Sequence, residues 1–88
     1  MIPDGKRFME TEKADIHLQL FATLGRFAPD SSERYPILRK TTVKELLTKI
    51  GIPIDQAKLI FIDGVRGELT SELFGGERVG IFPPVGGG

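Results

Sequence analysis

One stretch of this sequence reads as a helix with both of its ends written in, and it constrains everything around it. Thr42-Val43-Lys44-Glu45 is a capping box. The Thr42 hydroxyl can accept from the amide three residues on, while the Glu45 side chain reaches back to the amide of Thr42. Val43, Leu46, Leu47 and Ile50 then fall on one side, the apolar stripe of an amphipathic helix. Gly51 stands where a left-handed residue ends a helix, and Pro53 blocks any continuation. So short a helix is marginal on its own and must dock on a sheet.

The flanking segments supply that sheet. In residues 15–23, Ile16, Leu18 and Leu20 alternate with Asp15, His17, Gln19 and Phe21. A period of two is a strand with one buried face. Phe21 breaks the pattern by placing its ring on the polar side. Residues 24–34, with Gly25, Pro29, Asp30, Ser31 and Ser32, read as a loop. Tyr35-Pro36-Ile37-Leu38 is a second strand, antiparallel to the first. Pro36 has no amide to give a ladder, so it belongs at a strand start or on an edge.

Beyond the helix, residues 54–58 form a turn or short helical bend. Leu59-Ile60-Phe61-Ile62 is a strand that must turn two apolar side chains to each face, with the register open. Asp63-Gly64 is a turn dipeptide, and residues 65–69 make a brief return strand. Residues 70–74 read as one helical turn, stopped by Gly75-Gly76. The last strand is Glu77-Arg78-Val79-Gly80-Ile81-Phe82. Val79 and Ile81 face one way, and Arg78, Gly80 and Phe82 the other.

Strands on both sides of one helix describe a two-layer α+β domain. The simplest arrangement is a mixed sheet of four to five strands with the helix across one face. The first and last strands then pair in parallel at its centre. This is a β-grasp layout. Residues 1–14 have no period and read as a disordered arm, residues 15–82 are the domain, and residues 83–88 are a flexible tail.

Several functions are excluded at this stage. A chain of 88 residues buries only roughly 60–65% of its unfolded surface, which leaves little room for a deep catalytic cleft. Size therefore favours a binding or carrier module over an enzyme. Twelve Lys plus Arg balance twelve Asp plus Glu, against nucleic acid or an anionic membrane as the main partner. With no cysteine and one histidine, thiolate metal sites, a cysteine nucleophile and a multi-histidine zinc site are unavailable. His17 reads as a surface residue. The glycines around Gly75–Gly80 lack the Gly-Lys-Ser/Thr end of a phosphate loop. Asp63, Glu68 and Glu72 do not have calcium-loop spacing. No metal or bound cofactor is expected. No apolar run approaches the roughly 20 residues of a membrane span, and the N-terminus has no export-signal core, so the expected location is the cytoplasm.

The C-terminal residues carry a resemblance. Arg78-Val79-Gly80-Ile81-Phe82-Pro83-Pro84-Val85, followed by Gly86-Gly87-Gly88, resembles the sulfur-carrier family of ubiquitin-like β-grasp proteins. That family includes the small subunit of molybdopterin synthase and the thiamine-biosynthesis sulfur carrier. Leu20-Phe21-Ala22-Thr23-Leu24, Thr42-Val43-Lys44-Glu45-Leu46-Leu47 and Leu59 to Gly64 fit it in the same order. The triple glycine departs from the commoner ending, a different residue before a glycine pair.

The resemblance implies a carrier that is a substrate of enzymes, not a catalyst. An E1-like adenylyltransferase would use ATP to adenylate the Gly88 carboxylate. A persulfide sulfur donor would then convert it to a thiocarboxylate that delivers sulfur to a cofactor precursor. Molybdopterin is favoured over thiamine, with the large subunit of molybdopterin synthase as a further partner.

The tail suits that chemistry physically. Glycine has no Cβ and lets a narrow channel close on the backbone. Six extended residues at about 3.3 Å each reach roughly 20 Å, and Pro83-Pro84 stiffens the base. Gly86, Gly87 and Gly88 would enter a partner's active site. Phe21, Phe61, Phe82, Pro83 and Arg78 would form the docking face on the helix-free side of the sheet. With Arg66 and Arg39 as companions, Arg78 would form a rim of arginine that steers or anchors a partner carboxylate. The plainer alternatives are that Phe21 packs under the following loop and that the arginines are merely solvated. Two further functions share the first chemical step or need none: a modifier joined to lysines through Gly88, and an inert β-grasp binding module.

Overall fold

The computed structural model describes residues 12–84 of the chain. Along them run β1 (Lys13–Leu20), two 3-10 turns (Ala22–Phe27 and Ser32–Arg34), β2 (Tyr35–Leu38), β3 (Thr41–Thr42) and α1 (Val43–Ile50). A third 3-10 turn (Ile54–Gln56), β4 (Leu59–Ile62), β5 (Val65–Arg66), β6 (Glu72–Leu73) and β7 (Arg78–Phe82) complete the order.

The helix is the one foreseen. Both halves of its capping box form: Thr42 Oγ1 accepts from the Glu45 amide at 3.1 Å, and Glu45 Oε1 accepts from the Thr42 amide at 2.9 Å. Gly51 closes it at φ 98°, a left-handed conformation that suits glycine. Val43, Leu46 and Leu47 are buried from it.

Five strands form one mixed sheet in the order β2-β1-β7-β4-β5. The central pair, β1 and β7, is parallel, with Leu18 opposite Val79 and Leu20 opposite Ile81. β2 joins β1 antiparallel, and Pro36 sits on that edge strand, as its missing amide requires. β4 runs antiparallel to β7, with Ile60 opposite Ile81 and Phe61 opposite Gly80. This register resolves the open question in β4. Ile60 is buried with Ile16, Leu18, Val79, Ile81 and the helix stripe, whereas Phe61 is half-exposed on the other face. Each fully buried aliphatic contributes about 1.5–3 kcal/mol.

Asp63 and Gly64 take φ 54° and 82°. Both residues of the two-residue loop between β4 and β5 are thus left-handed, as a type I′ hairpin requires.

The structure departs from the sequence reading in four places. β1 begins at Lys13, so Lys13 and Ala14, assigned above to the arm, are in the sheet opposite Leu38 and Ile37. Ala14 packs against the core, and so small an apolar side chain leaves little signal in a pattern. β1 also ends earlier, at Leu20, and the expected loop that follows is partly wound into 3-10 turns. The return strand is confined to Val65–Arg66. Residues 70–74 do not form a helical turn: Glu72 and Leu73 pair antiparallel with Thr42 and Thr41. The Lys40 amide donates to Leu73 O, and the Val43 amide to Ser71 O. Leu73 is fully buried, and that burial with its ladder to β3 outweighs the local helical preference.

Residues 1–11, the greater part of the expected arm, lie outside the described residues, as do Gly86, Gly87 and Gly88 of the tail. Among the described residues, no helix is long and apolar enough to cross a membrane.

Candidate functional site

The helix covers one face of the sheet and leaves the other open. On the open face the side chains of Arg78, Gly80 and Phe82 follow from the alternation of β7, and Phe61 joins them because β4 sets it opposite Gly80. Phe21 arrives by a different route. It lies one residue past β1, in extended conformation, and its amide donates to Ile81 O at 3.1 Å. That bond carries the parallel ladder one step beyond the strand. Ala22 then turns the chain away at φ 52°, a conformation costing a non-glycine residue roughly 1 kcal/mol.

The three rings meet. Phe21 and Phe82 stack with centroids 4.2 Å apart and planes 3° from parallel. Phe61 meets Phe82 edge-on at 5.9 Å and 85°. Phe21 therefore does not simply pack beneath the loop after it; its ring lies on Phe82. Gly80 gives the ring room: a Cβ there would stand 3.3 Å from Phe21 Cε2, and the ring would have to shift by a few tenths of an ångström.

Together they shape an open depression of about 510 Å³, lined by Gln19, Phe21, Phe61, Asp63, Gly80 and Phe82, with Gly64 and Arg78 at its rim. Asp63 ties the rim to the sheet: its Oδ1 accepts from the Arg78 amide at 2.9 Å, and its own amide donates to Arg78 O at 2.8 Å. Arg66 is opposite Phe61 and shares its face. Arg39 does not come near. It is held beside Glu12, with its guanidinium over the Phe74 ring.

The depression sits at the root of the tail. The Lys58 amide donates to Phe82 O at 2.9 Å, the last ladder bond of β7. Pro83 and Pro84 have no amide hydrogen and cannot extend the ladder. The chain is thus anchored up to Phe82 and released from the sheet immediately after it. Pro83 is half-buried and Pro84 exposed; neither lines the depression.

Of the residues singled out from sequence, Phe21, Phe61, Phe82 and Arg78 come together, and Pro83 adjoins them. Gln19, Asp63 and Gly80 were missed as lining residues. Alternation already put Gln19 and Gly80 on this face, but only the register of β4 against β7 shows which neighbours they frame. Among the described residues, no group of three His, Asp or Glu side chains is placed to hold a metal ion.

A mixed sheet with a parallel central pair and one helix laid across it is the ubiquitin-like β-grasp architecture, and known structures share it. The solution structure of the Haloferax volcanii HVO 2177 protein superposes with TM-score 0.68 at 20% identity, covering 86% of this chain and 88% of that one. The crystal structure of H. volcanii small archaeal modifier protein 1 gives TM-score 0.60 at 21% identity, covering 82% of this chain and 99% of that one. A crystal structure of SAMP1 from the same organism gives TM-score 0.60 and 21% identity, with 85% and 100% covered. The chain belongs to the Mut7-C ubiquitin family, whose model matches residues 13–86. No curated protein matches it in sequence.

Proposed function

We propose that this protein is a ubiquitin-like carrier activated at the Gly88 carboxylate. The observation that supports this most directly is the aromatic depression at the root of the tail. A partner that grips Phe21, Phe61 and Phe82 holds the strand from which the glycine tail departs. At roughly 3.3 Å per extended residue, the tail from Pro83 then reaches about 20 Å into that partner.

The chemistry follows from the weakness of a carboxylate as an electrophile. An adenylyltransferase similar to ubiquitin-activating enzymes joins the Gly88 carboxylate to AMP from ATP and releases pyrophosphate. The terminal sulfur of a protein persulfide attacks the acyl carbon and expels AMP. A thiol then cleaves the acyl disulfide, leaving a thiocarboxylate on Gly88 and a disulfide on the donor. The carrier supplies the reacting carboxylate and the docking face, and the ATP is bound by the enzyme. Sulfur delivery to molybdopterin is favoured over thiamine by the likeness of the ending and of the Leu20 to Leu24 stretch, with the large synthase subunit as acceptor.

A second reading is favoured by the name of a structural relative, small archaeal modifier protein 1. There a lysine amine of another protein displaces AMP from the Gly88 adenylate and forms an isopeptide bond. The two readings separate after adenylation.

The test is an intact mass spectrum of the chain co-expressed with its host's activating enzyme and sulfur donor. One carboxylate oxygen replaced by sulfur is expected, located to Gly88 by a C-terminal fragment and thiol alkylation, because oxidation of Met1 or Met9 gives nearly the same shift. Lysine-linked conjugates in host lysate without thiocarboxylate would select the modifier. An unmodified terminus, with the enzyme active on another substrate, would overturn both.

A further inference from the structure

The aromatic depression is flanked by two guanidiniums that have no ion-pair partner among the described residues. We infer that its partner presents an acidic surface: one apolar side chain flanked by carboxylates, the first seated over Gly80 and the others on Arg66 and Arg78. This rests on the carrier reading and adds the chemistry of the surface that grips the carrier.

Three observations carry it. The first is that both guanidiniums belong to the open face. Arg66 is opposite Phe61 and Arg78 opposite His17, and directly opposed side chains share a face. Both residues are exposed.

The second is that neither is engaged by a described residue. The other arginines among the described residues have partners: Arg34 lies 3.5 Å from an Asp15 oxygen, Arg39 3.6 Å from a Glu12 oxygen, and Arg26 stacks over Phe27 at 5.0 Å. Among the described residues, the Arg66 and Arg78 guanidiniums have no ion pair and no ring contact. The lining holds one carboxylate, Asp63, and its Oδ1 is bonded to the Arg78 amide. The whole chain is balanced at twelve cations and twelve anions, so the surplus here is local.

The third is the floor. Gly80 has no side chain, and the Phe21 ring is packed close to where its Cβ would stand. The missing side chain keeps the depression open between the Phe21–Phe82 stack and the Phe61 ring, where an apolar group from outside can enter. An apolar centre with a charged rim is the anatomy of a protein docking site. Planar guanidiniums suit carboxylates through paired hydrogen bonds.

The test follows ATP–pyrophosphate exchange by the activating enzyme of the same genome, with the full chain as substrate, over a range of salt. The double variant Arg66→Glu, Arg78→Glu is expected to raise KM about tenfold at low salt. It leaves kcat unchanged and flattens the dependence of KM on salt. Lys44→Glu, a charge reversal on the helix side, changes KM by less than about twofold, because the helix face lies away from the interface and salt screens across it. Thermal melts confirm that each variant is folded. If the double variant leaves KM unchanged while Phe61→Ala raises it, the acidic-partner inference falls and the carrier reading stands. If neither Phe61→Ala nor the double variant alters exchange, the acidic-partner inference and the docking role of the depression fall while activation at Gly88 stands; if the wild-type chain is not adenylated, the carrier reading falls with them.

Discussion

The same three strands, β1, β7 and β4, show two different surfaces. Toward α1 they present Ile16, Leu18, Val79, Ile81 and Ile60, every one of them buried. Away from it they present Gln19, Phe61, Arg78 and Phe82, none of them buried, around the bare backbone of Gly80. The backbone, twist and alternation are common to both faces, so the contrast lies in what each set of side chains is selected to do. Branched aliphatics close one face against a helix. Aromatic rings and guanidiniums are left half in water on the other, although nothing in the fold requires rings there. Stability is concentrated on the first face and recognition on the second.

Substitutions on the two faces should therefore separate stability from docking. The largest effect on stability is expected at Ile81, fully buried under the helix. Ile81→Ala removes apolar contacts and leaves a cavity, and a loss of about 2–5 kcal/mol is expected in urea unfolding. A loss below about 1 kcal/mol would place the core elsewhere. On the open face, Phe82→Ala ends the stack with Phe21 and the edge contact with Phe61. These ring pairs are worth about 0.5–1.5 kcal/mol each, so a drop of about 1–3 kcal/mol is expected. It should be accompanied by a rise in KM for adenylation larger than any produced by Ile81→Ala in its folded fraction. Equal effects of the two on KM would abolish the distinction between the faces.

The smallest effect belongs to the cap. Thr42→Ala loses the bond from the Glu45 amide and is expected to cost about 1 kcal/mol, read as a lower melting temperature. Because the helix lies across the sheet from the aromatic depression, KM for adenylation should be unchanged. A changed KM would mean that the helix communicates with the open face.

What could be read in advance divides along similar lines. The helix was legible to its end residues because its caps are short-range chemistry: Thr42 and Glu45 are three positions apart, and Gly51 needs no distant partner. β1, β4 and β7 were legible as strands because alternation is a property of the chain itself. β6 was not. Thr70-Ser71-Glu72-Leu73 looks like the start of a helix, and only pairing with Thr41 and Thr42 makes Glu72 and Leu73 a strand. The candidate site was half legible. Phe21 and Phe82 were conspicuous as rings on the wrong side of their strands. That they stack, with Phe61 completing the cluster, depended on two registers that no local pattern encodes.

The sequence by itself determined the helix and its caps, the three central strands and their inward-facing residues, and the glycine-rich ending. Each of these is settled by neighbours a few residues apart, through propensity, capping and alternation. The tertiary structure alone decided which half of Leu59-Ile60-Phe61-Ile62 turns outward, where β1 begins, and that 72–73 is a strand. It also decided that Arg78 borders the aromatic depression and that Arg66, but not Arg39, shares its face beside Phe61. Those outcomes rest on hydrogen-bond register between segments far apart in the chain, and a shift of one residue in that register exchanges the two faces of a strand.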